Sequence, residues 1–140
     1  MRMGFLGPSG TYTEDAARRA APHATHVAMM SIDAVFEAVA TGHVEFGLVP
    51  IENVIAGPVT ETLDNLYTYA DRINIVDMLV VPIQHAIGVL PEAVNAVTAT
   101  PTLVKRVLSK DQALKQCSHY LDAHFPNSVR VDTLSTAEAV

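Results

Sequence analysis

The chain is short of cysteine, of charged residues and of uninterrupted apolar sequence, and each shortage excludes a class of protein. Its single cysteine, Cys117, excludes an intramolecular disulfide framework. Its most apolar stretch, residues 73–90, is interrupted by Asp77 and Pro82 and is therefore not predicted to span a membrane. Because the N-terminus also lacks the pattern of a signal peptide, we expect a soluble, cytoplasmic protein.

Charged residues make up only 17% of the sequence, and the net charge is −6. This acidic balance argues against nucleic acid as a partner, although a local site could still bind an anionic small molecule. The six histidines show no spacing typical of metal ligands, so no metal site is predicted, and only His85 is expected to have a structural polar role. Apolar residues are abundant at 49%, which is enough for the core of one domain or of two small lobes.

The first half of the sequence alternates short apolar runs with helical patterns. Ser31 is placed to cap one of these helices and Gly42 to end it. Alternation with short connections favours a parallel sheet with covering helices. The predicted strands cover residues 2–7, 26–30 and 44–49, and the predicted helices cover about 11–21, 31–42 and 58–69, the last one burying Val59, Leu63 and Leu66.

From residue 73 the pattern changes to long extended segments, 73–81 and 85–90, which resemble strands that leave one lobe and enter another. We therefore predict a first lobe over residues 1–76 and a second lobe, incomplete at its C-terminus, over 77–140. Within the second lobe we predict strands at 94–99 and 129–131. Between them we predict a short helix and an extended stretch at 101–107, and then a helix after Ser109. Leu114, Cys117 and Leu121 of that helix are expected to face inward.

A glycine-rich turn, Gly7-Pro8-Ser9-Gly10-Thr11, joins the first predicted strand to the first helix. Its glycines allow the backbone to approach a ligand closely, and the helix N-terminus offers N–H groups to a carboxylate or phosphate. The lysine of a P-loop and the glycine spacing of a dinucleotide fingerprint are both missing, so no nucleotide is predicted. The alternative is a tight turn with an ordinary cap, in which Thr11 and Glu14 have capping-box spacing.

A carboxylate and a carboxamide, Glu52 and Asn53, follow the third predicted strand almost directly. Because ligands bind beyond the carboxyl ends of strands in open α/β sheets, this pair could bind a ligand or place a carboxyl group for acid–base work. Alternatively, Asn53 stabilises its own loop and Glu52 is a solvated loop residue. Ser109 and Gln112 place a hydroxyl and an amide at a later helix start, which suits either a carboxylate ligand or a plain capping box.

Three motifs taken together resemble the prephenate dehydratase domain, in order and spacing, across essentially all 140 residues. The motifs are residues 5–13, residues 49–53 with Gly57, and Leu108-Ser109 with Gln112, Gln116 and Cys117. The resemblance implies a two-lobed α/β fold like that of type II periplasmic binding proteins, with mixed sheets, flanking helices and the active site in the cleft. It also implies a lyase that converts prephenate to phenylpyruvate, with loss of water and carbon dioxide, in phenylalanine biosynthesis.

The resemblance also implies which residues serve the site. Glu52 and Asn53 are expected to lie beside the substrate as the catalytic pair. The other residues expected to contact the substrate are Ser9, Gly10, Thr11, Gly57, Ser109, Gln112 and Gln116. No cofactor, metal, nucleic acid or membrane is expected as a partner. The family usually forms dimers or tetramers, commonly with a C-terminal ACT domain that binds phenylalanine.

The sequence departs from the family pattern at Val54, where serine is common, and at Lys110-Asp111, where His-Pro is common. The family's Thr-Arg-Phe motif, whose threonine is the favoured proton donor, would lie beyond residue 140. Ser135 and Glu138 have capping-box spacing at the end of the chain, so we expect a truncated domain. The isolated chain is therefore predicted to be inactive or severely impaired.

Two other interpretations stay open. One is a non-catalytic small-anion binding module of the same fold, and the other is an arogenate dehydratase, which acts on the amino counterpart of prephenate. An unfinished second lobe would also expose apolar surface and an unpaired sheet edge, so we expect the chain to associate with copies of itself.

Overall fold

The alternating first half forms a three-stranded parallel sheet in the computed structural model, which describes residues 1–136 and 138–139. The strands are β1 Arg2–Leu6, β2 Thr25–Met29 and β3 Phe46–Leu48. β1 is central, and its Phe5 lies opposite Ala28 of β2 and Leu48 of β3. The predicted parallel sheet is confirmed, and β3 is shorter than the predicted strand.

Two helices contact this sheet and a third packs on the second of them. They are α1 Tyr12–Ala20, α2 Ile32–Ala40 and α3 Thr60–Thr68. A short antiparallel hairpin, β4 Glu52–Asn53 with β5 Gly57–Pro58, lies between β3 and α3 in the chain. α2 begins as predicted, because Ser31 Oγ accepts a hydrogen bond from Ala34 N at 3.1 Å, and Gly42 follows its end with a φ of +74°. Phe5 and Ala17 are buried together where α1 meets the sheet.

The buried face of α3 differs from the prediction. Its fully inward residues are Thr62 and Asn65, whereas Leu63 is 44% exposed and Val59 and Leu66 are half-buried. Thr62 Oγ1 donates to the Pro50 carbonyl and Asn65 Nδ2 donates to the Glu61 carbonyl, so both buried polar groups are satisfied. A periodicity argument that counts only apolar side chains does not detect such a face.

The two extended segments predicted at 73–81 and 85–90 do not form strands. Among the described residues, no hydrogen-bonded strand or helix lies between α3 and Pro91. Several apolar side chains of the segment are exposed, including Ile75 at 69% and Val80 at 89%. A strand needs a partner for its N–H and C=O groups, and among the described residues no strand pairs with residues 73–90.

The segment Gln84–Val140 forms a second unit, distinct from the first unit Met1–Ile83. Its two strands are parallel, β6 Arg106–Ser109 and β7 Val129–Asp132. Its helices are α4 Val94–Ala99, α5 Asp111–Gln116 and α6 Ser118–His124, with 3₁₀ turns at Pro91–Ala93 and Pro101–Leu103. Leu114, Leu121 and half-buried Cys117 pack in its core, which confirms the predicted inward face. The predicted lobe limits, 1–76 and 77–140, stay a prediction.

Two local predictions in the second unit are wrong. Residues 94–99 form helix α4 and not a strand, because a 3₁₀ turn beginning at Pro91 leads directly into helical backbone. The predicted capping box of Ser109 and Gln112 does not form, because Ser109 is the last residue of β6 and pairs with Asp132. The helix that follows starts at Asp111 and is interrupted at Cys117.

Parallel and antiparallel pairs with flanking helices give an α/β fold with mixed sheets. Within the described part of the chain, no helix combines the length and the apolar character that crossing a membrane requires. At the end of the chain, Glu138 N donates to Ser135 Oγ at 3.0 Å and Leu134 N donates to Glu138 Oε2 at 2.7 Å. The first bond is the serine half of the predicted capping box, and the Glu138 carboxylate binds the amide that precedes Ser135.

Candidate functional site

The glycine-rich turn between β1 and α1 is a reciprocal helix cap. Glu14 N donates to Thr11 Oγ1 at 3.3 Å, and Gly10 N donates to Glu14 Oε2 at 2.7 Å. The Gly10 N–H bond, with a further contribution from Arg18, lowers the pKa of the Glu14 carboxyl below its ordinary value. Gly10 has a φ of +85°, a conformation that favours glycine. A ligand anion at this N–H would therefore compete with the Glu14 carboxylate.

The second candidate, the Glu52–Asn53 pair, forms one strand of the hairpin with Gly57 opposite Asn53. Asn53 Oδ1 accepts hydrogen bonds from Ile55 N at 3.0 Å and from Ala56 N at 3.1 Å. Asn53 thus stabilises its own loop, as one of the two interpretations of the sequence held, while Glu52 is exposed. Gly57 closes the hairpin with a φ of +80°.

The base of the hairpin is attached to α3 by a residue that the sequence analysis did not single out. Thr62 Oγ1 donates to Pro50 O at 2.6 Å, and the residue is 1% exposed. A threonine on the inward face of an otherwise amphipathic helix is the signal that could have identified it. A buried hydroxyl needs a partner, and the nearby polar loop would supply one.

The turn and the hairpin lie at the same edge of the first sheet. The turn follows the carboxyl end of β1 at Leu6, and the hairpin follows the carboxyl end of β3 at Leu48. β1 and β3 are adjacent and parallel, so their carboxyl ends meet at one edge. The structure thus brings two predicted groups to one edge, Ser9, Gly10 and Thr11 in the turn and Glu52, Asn53 and Gly57 in the hairpin.

The remaining predicted residues, Ser109, Gln112 and Gln116, belong to the second unit, and all three are half-buried. Gln116 Oε1 lies 2.9 Å from His85 Nε2, a contact that agrees with the predicted polar role of His85. A carbonyl oxygen accepts, so His85 donates here.

The N-terminus of α5 is capped by a carboxylate of the chain itself. Asp111 N donates to Asp132 Oδ1 at 2.7 Å, and Asp132 lies beside Ser109 across the β6–β7 pair. Lys115 pairs with Asp111 at 2.6 Å, and this carboxylate raises the pKa of the Lys115 ammonium. The polar groups at this helix end are thus engaged with one another.

Within residues 1–136 and 138–139, no group of three or more histidine, cysteine, aspartate or glutamate side chains could hold a metal ion. The groups of the candidate site that can donate hydrogen bonds are hydroxyls, amides and backbone N–H groups, and the Glu52 carboxylate can accept them. Such groups can bind and orient a polar, anionic small molecule by hydrogen bonding.

Comparison with known proteins identifies the family. The family model described as prephenate dehydratase matches residues 3–140. The bifunctional chorismate mutase/prephenate dehydratase of Stutzerimonas stutzeri is 37% identical over an alignment of 140 residues. The alignment covers 99% of this chain and 36% of that protein. Arogenate dehydratase 4 of Arabidopsis thaliana is 30% identical over 143 residues, covering 100% of this chain and 32% of that protein.

A solved structure agrees with these sequence matches. The prephenate dehydratase of Arthrobacter aurescens in complex with L-Phe has a TM-score of 0.75 and 28% identity, over 99% of this chain and 44% of that one. The chain spans between about a third and a half of the length of these and other curated relatives. Since the family model covers nearly every residue, the chain belongs to the prephenate dehydratase family.

Proposed function

We propose that this chain forms the substrate-binding part of a prephenate dehydratase, which converts prephenate to phenylpyruvate in phenylalanine biosynthesis. The observation that carries the proposal is the match of the family model over residues 3–140. The sheet edge that holds the glycine-rich turn and the hairpin supports it, because both groups lie where an α/β sheet binds ligands.

The reaction requires binding and one protonation. Prephenate loses its ring carboxylate as carbon dioxide, and the electron pair of the broken bond enters the ring. The hydroxyl on the opposite side of the ring leaves and takes up a proton, so that water, carbon dioxide and phenylpyruvate account for every atom. Formation of the aromatic ring supplies much of the driving force, and the protein must hold a dianion while the hydroxyl departs.

In this proposal Glu52 and Asn53 hold and orient the substrate from the hairpin, and the Glu52 carboxylate does so by accepting a hydrogen bond from the leaving hydroxyl. The turn residues Ser9 and Thr11 would contribute hydroxyl donors to a substrate carboxylate, and the Gly10 N–H would donate to it by exchanging the Glu14 carboxylate for that of the substrate. Gly57 allows the hairpin backbone to close beside the ligand. In the second unit, the residues proposed to contact the substrate are Ser109, Gln112 and Gln116.

We also propose that the protein has lobes over residues 1–76 and 77–140 arranged as in type II periplasmic binding proteins. We propose in addition that it is cytoplasmic and forms homo-oligomers. The division of the chain into two units supports the lobes. We further propose that phenylalanine acts through an ACT domain, and the Arthrobacter aurescens protein in complex with L-Phe supports phenylalanine as a ligand.

A second candidate function is dehydration of arogenate to phenylalanine. The match of the whole chain to the Arabidopsis arogenate dehydratase favours it, because that relative is 30% identical. The two substrates differ only in the side chain, where one has a keto group and the other an ammonium group.

The test supplies prephenate and arogenate separately to the full polypeptide that carries this chain, and quantifies phenylpyruvate and phenylalanine by liquid chromatography. If the protein is a prephenate dehydratase, prephenate should give phenylpyruvate much faster with the protein than without it. The matched variants are Glu52→Gln, which should reduce turnover, and Glu61→Gln on the exposed face of α3, which should not. Folded protein that yields neither product would overturn the proposal and favour a binding module.

A further inference from the structure

Thr62 is a polar residue in an unusual place. It lies on α3 yet is 1% exposed, and its hydroxyl donates to the carbonyl of Pro50 at 2.6 Å. The two residues are 12 positions apart, so the bond joins a helix to a distant loop. The acceptor lies just before Ile51 and Glu52 in the sequence.

The partner of Thr62 differs from the usual partner of a helical threonine. A threonine inside a helix commonly bonds the carbonyl four residues earlier, and Thr68 of the same helix does so, with Oγ1 donating to Asp64 O at 2.9 Å. Thr62 instead bonds the loop. Its hydroxyl therefore carries a tertiary contact that the helix itself does not require.

A second bond strengthens the same attachment. Val59 N, at the boundary of α3, donates to Ile51 O at 2.9 Å. The two successive carbonyls that precede Glu52 are thus both bound by residues at the start of α3. Together these bonds fix the point at which the hairpin leaves the sheet edge.

The tip of the hairpin has no comparable support from packing. Val54 is 97% exposed and Ile55 is 71% exposed, and the tip is organised by Asn53 Oδ1 within the loop itself. The contacts described above between the hairpin and α3 thus lie at the base of the hairpin.

We propose that Thr62 is a positioning residue, which fixes the Glu52–Asn53 hairpin to α3 through the Pro50 carbonyl and thereby sets the affinity for a dicarboxylate substrate. This inference rests on the proposed function, in which Glu52 and Asn53 hold the substrate. A displacement of about 1 Å at a binding group is enough to reduce catalysis strongly, so the loss of one buried bond should be measurable.

The experiment compares Thr62→Val, which keeps the shape and removes the hydroxyl, with Thr62→Ser, which keeps the hydroxyl. Thr68→Val is the matched control, because it makes the same change on the same helix where the hydroxyl bond is local. In the full polypeptide, Thr62→Val should lower kcat/KM for prephenate about tenfold, mainly through KM. Thr62→Ser and Thr68→Val should remain within about twofold of the original protein.

Amide hydrogen exchange without substrate separates this inference from the proposed function. In Thr62→Val, the Val59 amide should exchange about tenfold faster relative to the Phe5 amide, which reports the core of the sheet. A parent protein without turnover would overturn the proposed function. The exchange rates would still show whether the Thr62 hydroxyl holds the hairpin to α3.

The inference is overturned if Thr62→Val resembles Thr68→Val in both measurements. It is also overturned if Thr62→Ser is as impaired as Thr62→Val, because the methyl group and not the hydroxyl would then matter. Should Thr62→Val fail to fold, the exchange rate of the Thr62 hydroxyl proton in the original protein tests the bond to Pro50 instead. A slowly exchanging resonance supports the bond to Pro50, and rapid exchange with water contradicts it.

Discussion

At the scale of single residues, Glu14 illustrates how one carboxylate can cap a helix and occupy a position suited to a ligand. Its pKa is lowered chiefly by the Gly10 N–H and further by Arg18. A carboxyl group with a lowered folded pKa stabilises the protein above its unfolded pKa, and this contribution is lost as pH falls through the folded pKa. We expect a carbon-13 titration to give Glu14 a pKa below the ordinary value of 4.5.

Glu14→Gln supplies the control for this prediction. The variant should make the free energy of unfolding less dependent on pH in the acid range below 4.5, with little change in that slope near neutral pH. A Glu14 pKa at or above the ordinary value would contradict the cap that the hydrogen bonds describe.

Asn53 can be tested with two substitutions that separate its loop contacts from its proposed contact with substrate. Asn53→Ala removes the acceptor of the Ile55 and Ala56 amides, so both amides should exchange faster and prephenate should bind more weakly. Asn53→Asp keeps an acceptor for the loop but places a negative charge near a dianion. We expect it to protect the two amides and still weaken prephenate binding about tenfold or more. Unchanged binding by Asn53→Asp would contradict a substrate contact.

At the scale of elements, the packing of α2 on the sheet depends on the absence of a side chain at Gly47 of β3. A Cβ atom there would lie 2.7 Å from Val35 Cγ1 and 2.9 Å from Val39 Cγ2. Gly47→Ala should therefore reduce the free energy of unfolding by about 1 to 3 kcal/mol. Gly88→Ala is the matched control, because nothing lies within 4 Å of a Cβ at that position. Equal urea midpoints for the two variants would contradict the close packing.

The elements of the first unit could be predicted because their local signals agree with the fold. Ser31 and Gly42 bound α2, and Thr11 caps α1, as their positions in the sequence indicated. Prediction failed where tertiary context decides. The segment 94–99 has both helical and strand character in its sequence, and it forms a helix. The cap of α5 comes from Asp132, which accepts a hydrogen bond from the amide of a residue 21 positions away.

The candidate site was predictable to the same extent. The position of Glu52 and Asn53 after a strand identified the sheet edge, since that argument needs only the order of elements. The loop-stabilising role of Asn53 was one of two interpretations of the sequence, and only the contacts of its side chain decide between them. The bond from Thr62 to Pro50 could not be derived, because it depends on which groups the hairpin and α3 bring together.

At the scale of the whole molecule, exposed apolar residues between α3 and Pro91 predict self-association. Ile75, Val76 and Val80 are 69%, 74% and 89% exposed, and adjacent exposed apolar side chains favour contact with another protein surface. Sedimentation should show dimers or larger species whose fraction rises with concentration. Val80→Lys should reduce association, and Val54→Lys on the exposed hairpin serves as the control. A monodisperse monomer across concentrations would contradict this prediction.

The proposed site for prephenate is the sheet edge that holds the glycine-rich turn and the hairpin. The most direct measurement is a titration of nitrogen-15-labelled protein with prephenate, followed by the backbone amide resonances. Binding at this edge should produce saturable shifts at Gly10, Thr11, Glu52 and Asn53, and Thr62→Val should need more prephenate to reach saturation. Folded protein whose amides do not shift, or shift only away from these residues, would contradict it.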